Sequence, residues 1–562
     1  VSVPRTYDAI VVGSGISGGW AAKELTQRGL TTLVLEAGRN IDPARDYVEH
    51  KPVYEFTFRG LRDRKTAEAK HFIQSQTGAF EDQTSQFFVN DIENPYSFDS
   101  DKPFYWIRGR HLGGRSIMWG RQTYRLGDLD FEANAREGIG VDWPIRYADI
   151  KPWYDHVDDF IGVSGEALGL AQVPDGKFLP PMPLNCAEEF VKAGIAKHFG
   201  NERQLTIGRC AILSREHRGR EACHYCGPCW RGCITRSYFN SVHVTLPAAR
   251  ATGRLTIRPF SVVHSVIYDE RSGRATGVRV IDAKTRKPLE FQGRVIFLCA
   301  SALESTRILL NSSTSRFPNG LGNSSGELGR NLMDHTMGGG ATALIPGVDE
   351  YESFGHRPNG IYVPRFRNVS TAHRDFVRGY QFQGGGGRDG WARGASIKGF
   401  GAALKAELRR PGPWNFTFYG FGECLPRPTN YVELDKEKVD AWGIPALRIH
   451  CVWGGNERKM LQDMAVTAAE MLEAAGAKDI KDFVEDNPPG LTIHEMGTAR
   501  MGRDPKTSVL DAHNRCHDVK NLFVTDGACM TSSACQNPSI TYMALTARAA
   551  AFAAEQLKRR EL

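Results

Sequence analysis

The chain is 562 residues long, too long for one ordinary hydrophobic core and suited to two to four domains. Hydrophobic residues at 41% and charged residues at 24% describe an ordinary globular composition. The net charge of +7 is mild, and its 71 basic and 64 acidic residues are interspersed, so no nucleic-acid-binding arm is expected. No apolar run approaches the ~18–20 residues of a membrane-spanning helix, so no transmembrane segment is expected. The start, VSVPRTYDAIVVG, enters a strand without the pattern of a secretory signal. That leaves two expectations open: cytoplasmic residence, or export that depends on something outside this chain.

In chain order, the first predicted element is a short buried strand, Ala9–Val12. Next come a G-x-G-x-x-G turn at Gly13, Gly15 and Gly18, a helix with Trp20, Ala21 and Leu25 in apolar register, and a second strand, Thr32–Leu35, ending in Glu36. Each piece suits a dinucleotide. Gly13 permits a tight turn, Gly15 lets the backbone approach a pyrophosphate, and Gly18 lets the helix pack on the sheet. The helix N-terminus offers partial positive charge to the phosphates. Glu36, 18 residues after Gly18, is placed to accept hydrogen bonds from an adenosine ribose. The motif alone does not choose FAD over NAD, but VLEAGRN is similar to the strand end of flavoproteins of the glutathione-reductase-like fold.

The second signal is RGRHLGGRSIMWGRQTYR, Arg108 to Arg125. This stretch resembles the second flavin motif of the glucose–methanol–choline (GMC) oxidoreductase superfamily. The resemblance implies that the backbone of Gly113 and Gly114 lies beside the isoalloxazine ring. In the pyranose-oxidase branch a histidine before the tryptophan carries a covalent bond to FAD. Here Met118 precedes Trp119, and a thioether has no nucleophilic nitrogen, so noncovalent FAD is expected.

EACHYCGPCWRGC follows, with Cys223, Cys226, Cys229 and Cys233 within eleven residues. Thiolates packed this tightly suit one compact soft metal centre. The spacing resembles a ferredoxin-type iron–sulfur ligand run. A structural zinc site, redox disulfides and idle thiols are the competing readings. Within the superfamily, the cluster resembles that of the FAD catalytic subunits of bacterial glucoside 3-dehydrogenases, glucose dehydrogenases and gluconate 2-dehydrogenases. By that resemblance a three-iron cluster on Cys223, Cys229 and Cys233 is preferred, and a four-iron cluster would add Cys226.

RLTIRPFSVVHSV reads as a strand in which Val263 is a candidate for backbone contact with adenine. Ile296–Ala300 reads as a buried strand running into a helix around Ser305–Arg307. ELGRNLMDH, Glu327 to His335, also matches the superfamily, and His335 reads as structural rather than catalytic. Beyond it, NFTFYGF alternates like a strand, while FQGGGGRDG, Phe382 to Gly390, reads as a loop in preference to a site of close backbone approach.

Two C-terminal stretches carry the chemistry, HEMGTARMG from His494 and NLFVTDGACMTSSACQNPSITYMALTARAAAFAAEQL from Asn521. Both match the superfamily's C-terminal pattern. Asn537 is expected to N-cap the last helix with Pro538 at its first position. That helix N-terminus, with Thr541 in its first turn, would stabilise negative charge on a reduced flavin. Asp526 and Gly527 resemble residues that meet the ribityl and pyrophosphate part. His494 would be the general base for an alcohol hydroxyl, since imidazole titrates near working pH, and Asn537 would hold the same hydroxyl.

The expected fold class is α/β. It combines a discontinuous Rossmann-like FAD-binding domain of the GMC/glutathione-reductase type with a substrate domain built on a mainly antiparallel sheet. The expected division is 1–344 for the first FAD-binding segments, with a cysteine-cluster insertion near 210–235, then 345–484 for the substrate domain and 485–562 for the catalytic return to the FAD domain. The implied activity is an FAD-dependent dehydrogenase of a sugar or glycoside hydroxyl, best matched at C3 of glucosides. An iron–sulfur relay would serve a cytochrome c or other acceptor. An oxygen-using sugar oxidase or a gluconate or glucose dehydrogenase is the alternative. The resemblance further implies a small partner subunit bearing an export signal, and hence a periplasmic place, with cytoplasmic residence the alternative.

Overall fold

The computed structural model describes residues 6–57, 63–352, 355–373 and 375–562. The opening residues 1–5, read above for a signal pattern, lie outside them.

A seven-stranded sheet carries the glycine-rich turn. Its parallel part runs Leu255–Arg258, Thr32–Leu35, Thr6–Val12, Pro288–Leu298. All four residues of Thr32–Leu35 and the Val295–Leu298 stretch are buried, as the continuous apolar runs require of a sheet covered on both faces. The long strand Pro288–Leu298 serves two further partners. Its first half pairs antiparallel with Arg274–Asp282, and its last three residues pair parallel with Leu522–Val524. A segment far downstream in the chain therefore returns to the centre of this sheet. Helix Ile16–Gln27 packs its Ala21, Ala22 and Leu25 in one core with Ala549, Ala550 and Ala553 of the last helix, Ser539–Lys558.

RLTIRPFSVVHSV is two strands, not the single one expected. Leu255–Arg258 ends at Pro259, Phe260 turns through φ +55°, and Ser261–Asp269 then runs antiparallel to Arg274–Asp282. Proline cannot donate to a ladder and the left-handed residue redirects the chain.

The second sheet has six strands, all paired antiparallel, in the order Lys478–Val484, Thr336–Leu344, Trp414–Gly422, Tyr380–Arg388, Ile361–Val363, Thr206–Ile207. Helix Gly455–Ala474 covers it through Met460, Met464, Ala468 and Met471. Strand Trp414–Gly422 alternates buried and more exposed residues as its sequence predicts.

The glycine run overturns one expectation. Gly384–Gly387 lies inside strand Tyr380–Arg388, paired residue by residue with Asn415–Phe418, and is not a loop. The glycines admit close neighbours. A Cβ on Gly384 would stand 1.9 Å from the Thr417 carbonyl oxygen, and one on Gly385 would stand 2.8 Å from Glu188.

Candidate functional site

A cavity of about 460 Å³ opens against the seven-stranded sheet, where Val12, Leu35 and Val263 line it. Of the residues singled out in the sequence, Gly13, Gly15, Glu36, Gly114, Val263, His494, Asp526, Gly527 and Asn537 line it. Gly18, Gly113, Pro538 and Thr541 are not among its lining residues, and each has another place. Gly18 presses on the turn: a Cβ there would stand 2.0 Å from the Gly13 carbonyl oxygen. Gly113 turns at φ +86° and donates its N–H to Ser14 Oγ at 2.9 Å. Thr541 shares a 2.8 Å hydrogen bond with the Tyr154 hydroxyl.

At the phosphate end the machinery is backbone. Gly15 N-caps helix Ile16–Gln27 without any side-chain cap, and Ile16 and Ser17 line the cavity, so the first-turn N–H groups are free for an anion. Glu36 is buried, which raises its carboxyl above the usual range, while Ser14 Oγ and the Gly38 N–H at 2.9 Å donate to it. Ser14, invisible as a functional residue in the motif, ties the first glycine turn to Glu36 and to Gly113 at once. Asp526 is likewise pushed up, to about 6, by burial, and accepts from Ser305 and from the Ala528 N–H at 3.1 Å.

At the other end the machinery is side chains. The loop carrying His494 is clamped by the ELGRNLMDH segment: Met333 and Met496 exchange both backbone hydrogen bonds at 2.9 Å. Asp334 accepts from the N–H groups of Gly490 at 2.7 Å and His494 at 3.0 Å. His335 stands edge-on to His494, with ring centroids 4.9 Å apart and the two Nδ1 atoms 3.0 Å apart. Its Nε2 lies 3.2 Å from the Ser533 carbonyl oxygen. Burial, then His335 and Arg115, hold the His494 imidazole well below its ordinary range, so it is neutral near pH 7. Arg115 in turn makes a bidentate pair with Glu495 at 2.8 and 3.1 Å.

Asn537 is not the helix cap. Helix Ser539–Lys558 is capped by Pro538, whose carbonyl accepts from Tyr542 at 3.1 Å, so the helix begins one residue later than its Asn-Pro signature predicts. The asparagine is thereby released. Its Oδ1 accepts from the Gln383 amide on strand Tyr380–Arg388, which leaves its Nδ2 as the donor available to the cavity. Ser539 and Tyr542, from the helix's first turn, also line the space. Met118 and Trp119 line it too.

The four clustered cysteines lie on a separate loop, and none forms a disulfide. Among the described residues no group of three or more His, Cys, Asp or Glu side chains is gathered as for a metal ion, so the expected ligand set is not assembled around one centre. That observation separates neither a zinc site from an iron–sulfur cluster nor either from free thiols. Burial, then the Tyr225 N–H, then the charges of Cys229, Cys233 and Cys226 act on Cys223, whose thiol rises to about 12. The Tyr225 N–H points at Cys223 Sγ from 3.4 Å. This loop also reaches the cavity. Trp230 lines it, and Arg121, which lines it as well, lies 6.0 Å over the Trp230 ring and donates to the Trp119 carbonyl at 2.7 Å. Nothing in the spacing of the cysteines announced that contact.

Comparison with known proteins identifies the family. The family described as GMC oxidoreductase matches residues 7–337 and 426–546. The 2-methyl-1,2-propanediol dehydrogenase of Mycolicibacterium austroafricanum is 29% identical, covering 96% of this chain and 94% of its own. The fructose dehydrogenase large subunit of Gluconobacter japonicus is 25% identical, covering 97% of both. The crystal structure of pyridoxine 4-oxidase from Mesorbium loti superposes with a TM-score of 0.61 at 17% identity, over 97% of this chain and 98% of that one. The chain belongs to the GMC oxidoreductase family and is an FAD-dependent oxidoreductase of CH–OH groups.

Proposed function

We propose that the protein is a dehydrogenase of a sugar or glycoside hydroxyl, with C3 of a glucoside the foremost candidate. The observation that carries this reading is the meeting of His494 and Asn537, 43 residues apart in the chain, on the same cavity as Gly13, Gly15 and Glu36. The last three, with Gly18, Gly113, Gly114, Val263, Asp526, Gly527, Pro538 and Thr541, form or brace the cradle for noncovalent FAD. When bound, FAD supplies a two-electron acceptor for the hydrogen that leaves the carbinol carbon with its bonding pair. Neutral His494 takes the hydroxyl proton, and Asn537 Nδ2 donates to the hydroxyl oxygen. The alcohol thereby loses one proton and one hydride equivalent and becomes a carbonyl. The free N–H groups of the first turn of helix Ser539–Lys558 favour negative charge beside them.

The proposal includes an iron–sulfur relay on Cys223, Cys229 and Cys233, with Cys226 as a fourth ligand if the group holds four irons. Its support is the cysteine spacing and the approach of Trp230 to the cavity. A one-electron relay would suit an external acceptor such as a cytochrome c, and the fructose dehydrogenase relative is by name a large subunit. A small partner subunit with an export signal, and a periplasmic place, complete the reading. Among the described residues no helix is long and apolar enough to cross a membrane.

The test is anaerobic flavin bleaching by methyl glucosides, glucose, gluconate, fructose and a vicinal diol, then turnover with a dye against turnover with oxygen. Bleaching by a glucoside with dye-only turnover is expected. Bleaching by the diol alone would reject the sugar, and oxygen turnover at the dye rate would reject the dehydrogenase. Iron and sulfide assay with EPR on anaerobically prepared protein decides the relay. About three irons and a signal from the oxidised form are expected, and iron-free protein that still turns over with dye would remove the relay.

A further inference from the structure

His335 has no direct place among the cavity-lining residues, yet its hydrogen bonds leave only one arrangement of protons on His494. The Ser533 carbonyl oxygen, 3.2 Å from His335 Nε2, can only accept. His335 therefore carries its proton on Nε2. Burial holds that imidazole near a pKa of about 4, so it is neutral and its Nδ1 is a bare acceptor. The facing atom 3.0 Å away, His494 Nδ1, must then be the donor. A neutral imidazole has one N–H, so His494 Nε2 carries the lone pair.

We infer that His335 is a positioning residue that sets the tautomer of His494 and shares the proton that His494 takes from the substrate hydroxyl. This rests on His494 being the base proposed above. When the hydroxyl O–H breaks, its proton bonds to His494 Nε2, and the resulting cation lies along the Nδ1–H···Nδ1 bond with the His335 lone pair at its far end. The surroundings leave this role to His335. Asp334 is turned to the backbone N–H groups of Gly490 and His494, and Glu495 is engaged by Arg115. Thr492 donates to the His335 carbonyl at 3.1 Å. Arg115 adds a positive charge that opposes protonation of His494. The neutral neighbouring imidazole is thus the group in hydrogen-bond contact with His494 Nδ1 that can take up its charge.

The experiment compares the FAD-loaded parent, His335→Phe and His335→Gln by anaerobic stopped-flow flavin reduction across pH. Phe keeps the ring and removes the acceptor, whereas Gln retains a carbonyl for His494 and an amide for Ser533. General base work is worth about 10²–10⁴-fold. On that scale His335→Phe is expected to lose about 10²-fold in the reduction rate with flavin content unchanged, and His335→Gln to recover at least about tenfold of that loss. A Phe variant within about threefold of the parent, with the same pH profile, overturns the inference. If His494→Ala also reduces flavin at the parent rate, the base assignment fails as well, and the two failures are told apart. Should the variants not hold flavin, ¹⁵N-histidine spectra of the parent holoenzyme decide. The Nδ1–H tautomer of His494 is expected, and the Nε2–H tautomer refutes the role.

Discussion

The two ends of the cavity solve the problem of binding in opposite ways. At the phosphate end the donors are main-chain N–H groups of one helix turn, and the glycines matter for what they lack. At the end proposed to react, the candidate groups are the side chains of His494 and Asn537, and each meets a second side chain from a distant segment, His335 and Gln383. A backbone cradle can be written in one short stretch, because its atoms are present whatever the residues are. A side-chain site needs separate segments brought together and the polarity of each group chosen by a neighbour. The first end should therefore fail by steric intrusion and the second by lost polarity with the architecture intact.

The largest effect is expected from Gly18→Val. A Cβ there would stand 2.0 Å from backbone oxygen that has no freedom to move. The variant should purify without flavin, read as the loss of flavin absorbance per chain; full flavin occupancy would break the contrast. His494→Ala comes next. It should bind FAD as the parent does and reduce it about 10²–10⁴-fold more slowly, and stopped-flow reduction at the parent rate would dismiss this base.

A smaller effect concerns pH. Buried His494 and His335 are neutral in the folded chain, and both imidazoles return to about 6.5 on unfolding. The unfolded chain thus binds more protons below that pH. Stability should be full above about pH 6.5 and decline as pH falls toward about 4, the depressed value of His335. Urea midpoints on the two sides of the unfolded pKa, at about pH 7.5 and about pH 5, check the sign, and His335→Gln should flatten the slope. The smallest effect is expected from Gln383→Leu, which leaves only the long 3.5 Å bond from Gln381 to orient the Asn537 amide. About fivefold in the reduction rate is expected, as for one hydrogen bond worth about 1 kcal/mol, with flavin content unchanged. An unaltered rate would separate Asn537 from its neighbour.

The nucleotide half was legible in the residues, because strand, glycine turn, helix and terminal acid recur at fixed short spacings, and Gly13, Gly15 and Glu36 all meet the cavity. The alternation of Trp414–Gly422 was equally readable, since period two follows from the pleat. The glycine run Gly384–Gly387 misled, because glycine signals both loops and crowded strands, and only its neighbours Thr417 and Glu188 decide between them. Asn537 misled by one residue, since Asn-Pro suits either a cap or the position before one, and the Gln383 amide claims its oxygen.

By itself, then, the sequence determined the parts whose physics is local: the glycine-rich turn between strand and helix, the strand and helix periods, and the chemical types at positions 494 and 537. The tertiary structure alone decided what depends on contact across the chain. It set His335 against His494, turned Asn537 with Gln383 from the antiparallel sheet, and brought Trp230 of the cysteine loop to the cavity wall. The physical reason is range. Backbone geometry is dictated within a few residues, whereas the tautomer of a buried imidazole or the facing of an amide is dictated by whichever hydrogen-bond partner the fold delivers.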